Sequence, residues 1–183
     1  LFFLMSYHFY SMPRKMIFMN DSITHFKHIL KKKGTGKTMS KHMDQQDIDF
    51  VIHRFNDNAI PLAMKATLLT AWMMLKNTPE EADGLQSIRT HVDTMIPKEL
   101  HFLFLPSNHY IDLVIQQAMN GEEISTHYIQ QIFNDIDQQL IPKYKIASFL
   151  EALRLKEETL NENSCIYDAF KERCFHHSLD LPL

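Results

Sequence analysis

A chain of 183 residues is long enough for one domain, or two small ones, with a core that needs no staples. Hydrophobic content of 45% and charge of 22% are those of a globular protein, while 4 Gly and 7 Pro are too few for the many tight turns of an all-β fold. A net charge of −3 provides no global field for nucleic acid, so any such partner needs a local basic patch.

The chain opens on LFFLMSYHFYSMPRK. Ser6, His8 and Ser11 interrupt the apolar run, and it falls short of the ~20 apolar residues of a membrane span. Arg14 and Lys15 come last, whereas a secretory signal puts its basic residues first. Residues 1–20 therefore read as an N-terminal extension, disordered or loosely docked, with no membrane partner. Cys165 and Cys174 are too few for a disulfide framework, so a reducing, cytoplasmic setting is expected.

Asp21 or Ser22 can cap a first helix through Lys33, with Ile23, Phe26, Ile29 and Leu30 on one stripe. Gly34 and Gly36 stop it. Asp44 caps a second helix, with Asp47 as a weaker form of the capping box. Its apolar positions, Ile48, Val51, Ile52 and Phe55, have the spacing of a half-buried helix. Ile60-Pro61 opens a third helix carrying Ala66, Leu69, Ala71 and Trp72, apolar on more than one face and so predicted to be central. Thr78-Pro79-Glu80-Glu81 starts a fourth, running to about Met95. Pro97–Asn108 contains HFLFL, too apolar for an exposed loop, and reads as a short strand or a connector over the core.

The pattern then starts again. Tyr110–Asn120 is helical and Gly121 ends it. Ser125 caps the next helix where Asp44 did. Ile129, Ile132, Phe133 and Ile136 fall on Ile48, Val51, Ile52 and Phe55, and Ile141-Pro142 falls on Ile60-Pro61, 81 positions on. Ala147, Leu150 and Ala152 fall on Ala66, Leu69 and Ala71, and Thr159 and Glu162 on Thr78 and Glu81. Any two amphipathic helix pairs share apolar spacing, but shared caps, a shared Ile-Pro and a gapless register argue for duplication. The expected fold is all-α, a bundle of about eight helices in two similar halves. The units are 21–96 and 110–175, joined by a connector at 97–109 and followed by a tail at 176–183.

Chemistry is sparse. Gly34-Thr35-Gly36-Lys37-Thr38 lacks the first Gly of a P-loop, where Lys31 stands, and follows a helix instead of a buried strand. Cys174 with His176 and His177 lacks the paired spacings of a zinc site, and no metal site is assigned. His25 and His28 lie one turn apart without a third ligand. No Ser or Cys is flanked as an activated nucleophile, so no catalytic residue is assigned. Lys31, Lys32, Lys33, Lys37 and Lys41 make a basic patch able to meet phosphate or nucleic acid, against the plainer reading of a solvated helix end. No aromatics interleave them.

The unit of helix, Gly turn, capped helix, small-residue helix and Thr-x-Glu-Glu start resembles the N-terminal helical domain of the anthranilate phosphoribosyltransferase and pyrimidine nucleoside phosphorylase superfamily. The second copy carries the resemblance best, in Gly121, Ile124-Ser125, Ala147–Lys156 and Glu158-Thr159. The first carries it in Gly36, Met43-Asp44, Ala66–Trp72 and Thr78–Glu81. The resemblance implies a domain that closes over a substrate cleft and supplies a dimer interface, ahead of a large α/β domain. That α/β domain would hold the phosphoribosyl or nucleoside substrate in a Gly-Thr-Gly-Gly-Asp loop, with acidic residues for Mg²⁺. Neither is in this sequence, and Gly34-Thr35-Gly36 is not equated with that loop. The chain itself then needs no cofactor and is expected to be inactive alone. Two readings stay open: the helical part of such a transferase, with the tail leading into the α/β domain, or a free-standing helical module that binds a protein or nucleic acid.

Overall fold

A computed structural model describes residues 14–174, and among them lie nine α-helices, one 3-10 helix and no strand. The first helix, α1, spans Arg14–Lys33. It starts before the expected caps Asp21 and Ser22, because no Gly or Pro after Pro13 stops a helix from running back that far. The expected extension at 1–20 thus lies outside the described residues up to 13 and is helical from 14. The tail at 176–183, with His176 and His177, also lies outside them.

Helix α2, Gln45–Arg54, is capped by Asp44, whose carboxylate accepts from the Asp47 N–H at 2.9 Å. Asp47 does not reach back to complete a capping box. Its side chain is one methylene shorter than glutamate, and it pairs instead with Lys32 and His25. Helix α3, Leu62–Met74, and helix α8, Lys143–Leu155, both start just after their prolines, which sit at the N-cap and not at the first helical position. Between them, α4 (Pro79–Thr90) and α5 (Val92–Met95) replace the single helix expected to Met95. The break at His91 leaves Ile88, Val92 and Ile96 all buried.

The stretch after Pro97 is the 3-10 helix Lys98–Leu103, not a strand. A lone strand would leave its backbone groups unpaired. The 3-10 turn pairs them locally, for instance Leu100 N–H to Pro97 O at 2.9 Å, while Leu100, Phe102 and Leu103 cover the core. The second half follows with α6 (Tyr110–Met119), α7 (Thr126–Asp137), α8 and α9 (Leu160–Cys174). Ser125 caps α7 through the Tyr128 N–H at 3.4 Å.

The packing repeats with the sequence. Helices α3 and α8 lie against each other at the centre; α1 packs on α3 as α6 packs on α8, and α2 meets α4 as α7 meets α9. Ala66, Ala71 and Ala152 are fully buried, which lets the central helices approach closely. One hydrophobic cluster runs from Phe26 to Ala169 through both halves.

Within that plan, volumes trade places. Trp72 falls on Leu153 in the 81-residue register, and Gly84 falls on Cys165. The half with the large indole has no side chain at the partner position. A Cβ on Gly84 would lie 2.9 Å from Ile48 Cγ2 and 3.0 Å from Trp72 Cζ2. Gly84→Ala should therefore destabilise the protein by ~1–3 kcal/mol through overpacking. An open helix site would instead reward alanine with ~1 kcal/mol of propensity. Urea unfolding checks this, and a stabilised variant would show that Trp72 moves aside freely.

Candidate functional site

The most constrained polar groups are two glutamates, one in each half. Glu81 and Glu162 are both fully buried. Each closes a capping box with a threonine: Thr78 N–H donates to Glu81 Oε2 at 2.9 Å, and Thr159 N–H to Glu162 Oε2 at 2.8 Å. Each also reaches across to the loop before the capped helix. Met43 N–H donates to Glu81 Oε1 at 2.8 Å, and Ile124 N–H to Glu162 Oε1 at 2.7 Å. Met43 and Ile124 are again 81 apart.

The buried cation comes from different places. Lys33, at the end of α1, puts its Nζ 2.8 Å from Glu81 Oε1, and His42 Nδ1 lies 3.0 Å from Oε2. In the second half Lys156, just past α8, supplies the ammonium to Glu162 and also donates to Glu122 O. Burial alone would raise both carboxyls. The lysines and the backbone N–H groups outweigh it and hold them below the usual carboxylate value. Glu81 is held by four polar partners and Glu162 by three, so both acids act as structural ties.

The lysines of the basic patch therefore divide. Lys33 is interior, bound to Glu81, Asn77 Oδ1 and Lys76 O. Lys32 lies between Asp44 and Asp47. Lys37 reaches Glu157, 3.4 Å away on the surface. Lys31 and Lys41 are exposed. Together with Lys32, His28, Thr35 and Met39 they line a cleft of about 440 Å³. The basic run predicts a surface place for Lys33, and the structure corrects it: the side chain is fully buried. The signal for its real role is the pair of Thr-x-x-Glu starts, which predicts a buried acid needing a cation.

Other candidates stay apart. Cys165 is buried, and burial with nearby Asp168 and Glu172 pushes its thiol up, the opposite of activation. Among the described residues no three of His, Cys, Asp or Glu converge as a metal site. The Mg²⁺ implied by the resemblance finds no fitting ligand set among them. No helix of the described residues is long and apolar enough to cross a membrane.

Residues 113–174 match the family model described as glycosyl transferase family, helical bundle domain. This segment, about a third of the chain, is similar to that helical bundle domain. The match takes in most of α6 and all of α7, α8 and α9, including Glu162 and Lys156. Within the matched segment, Ser125 and Thr159 are the N-terminal caps and Glu162 is the buried tie between them. No curated protein and no solved structure matches the chain.

Proposed function

We propose that the chain is the helical part of a glycosyl transferase-family protein, built as two versions of one helical domain, and that it shapes a substrate cleft and supplies subunit contacts. The observation that carries the reading is the match over α6 to α9, joined to the repetition of the same glutamate ties 81 residues earlier. A phosphoribosyl or nucleoside substrate and its Mg²⁺ would belong to an α/β domain and not to these helices. Exposed apolar side chains support a contact role. Among the described residues, Leu113, Leu140, Leu150, Leu160, Tyr167 and Phe170 lie in the second half, against Met39 and Leu105 before it. Such side chains are what a second copy of the chain in a homodimer, or an α/β domain, would cover.

The test is turnover. The 183-residue protein, mixed with phosphoribosyl pyrophosphate, Mg²⁺ and anthranilate, or with a pyrimidine nucleoside and phosphate, should form no product above the blank. Clear turnover that co-purifies with the protein would overturn the reading.

A further inference from the structure

The two halves differ in the loop that precedes the second helix of each. Ten residues, 34–43, separate α1 from the cap Asp44, whereas five, 120–124, separate α6 from the cap Ser125. The longer loop carries Lys37 and Lys41; the shorter carries Glu122 and Glu123. The extra length is ordered by specific bonds. Arg154 Nη2, from α8, donates to Gly34 O at 2.7 Å, and Ser40 N–H donates to Gly36 O at 2.9 Å. Lys41 N–H donates to Lys32 O at 2.9 Å, and Thr35 Oγ1 donates to Met39 O at 3.0 Å. Gly36 has φ +106°, a turn that residues with a side chain rarely make. The product is a preformed wall that, with α1, encloses the 440 Å³ cleft.

We propose that this cleft binds a phosphorylated small molecule, with Lys31 and Lys41 as its principal anion contacts and Lys32 and Thr35 beside them. The ligand contacts of the proposal all lie in the first half, and it stands apart from the transferase reading. Among the described residues neither the Lys31 nor the Lys41 ammonium has an ion-pair or hydrogen-bond partner, while Lys32 and Lys37 do. Two cations without a partner among the described residues, on the lining of a cleft held by the loop's own bonds, make a phosphate site whose ordering cost is already met by the fold. The volume is that of a pocket for one small ligand. A nucleic-acid backbone fits less well. Asp44, Asp47 and Glu157 border the lysines and would meet the next phosphates of a strand, and among the described residues no Phe, Tyr or Trp lines the cleft as a platform for bases.

Calorimetric titration of the full chain with inorganic pyrophosphate tests the proposal, with a twelve-nucleotide single strand as the competing probe. Saturable pyrophosphate binding is expected. The double variant Lys31→Gln/Lys41→Gln should weaken it by ~10-fold or more, the order of 1.4 kcal/mol. Lys143→Gln, an exposed lysine on α8 away from the cleft, should change it by less than ~2-fold, as expected for a remote charge screened by salt. Thermal unfolding of each variant confirms that it is folded. Binding that is absent, that falls equally in Lys143→Gln, or that is outcompeted by the strand at equal phosphate concentration would overturn the proposal.

Discussion

Glu81→Ala is expected to cost ~3–5 kcal/mol of stability, because it leaves the Lys33 ammonium buried without a counter-charge. The same change strips the Met43 and Thr78 N–H groups of their acceptor. Glu162→Ala should do the same to Lys156, Ile124 and Thr159. Replacing both partners separates charge from packing: Lys33→Met with Glu81→Leu should recover much of the loss, since an apolar pair of similar volume is often as stable as a buried ion pair. The sign with pH follows from the depressed carboxyls. Each ionises in the folded protein below its usual value of 4.5, so its contribution is present above that pH and is lost as the pH falls through the lower folded value. Wild-type stability should therefore drop on acidification below 4.5, and the Glu81→Ala and Glu162→Ala variants should each show a shallower drop. Urea unfolding at several pH values reads both effects. A wild-type midpoint in Glu81→Ala would mean that Lys33 escapes to solvent.

Ala152→Asp is expected to unfold the whole molecule, not only its own half. Ala152 is fully buried on α8, the helix that packs along α3, and belongs to the cluster that also holds Phe26 and Trp72. A carboxylate there has no cation on the apolar face. The uncompensated charge costs ~3–5 kcal/mol, a large part of the stability of a domain this size. Ala71→Asp, its equivalent on α3, should act alike, although Ala71 sits with Leu75 and Leu155 in a smaller cluster. Circular dichroism at rising temperature checks this. A variant with half its helix still melting at the wild-type temperature would show two independent domains.

Much of the fold is legible in the residues because the determinants are local. The caps Asp44, Ser125, Thr78 and Thr159, the stops Gly36 and Gly121, and the Ile-Pro starts each act within a turn of where they are read. The central place of α3 follows from alanines and large apolar residues on several faces. What failed is tertiary in origin. The stretch HFLFL has strand composition, yet with no neighbouring strand it curls into a 3-10 helix whose side chains reach the core. A run of three lysines looks like one surface feature. A helix turns ~100° per residue, so one of the three points inward and meets Glu81 across 48 residues of sequence. Asp47, read as a cap partner, is drawn off by Lys32 from another helix. The cleft itself depends on Arg154 holding a loop 120 residues away, which no local pattern encodes.

Two halves packed on one plan share one core. Native-state hydrogen exchange of the wild-type protein tests it most directly. The amides of α3 and α8 should open together, with one free energy and one denaturant dependence equal to those of global unfolding. Exchange of α8 at a markedly lower free energy than α3, with its own denaturant dependence, would contradict it.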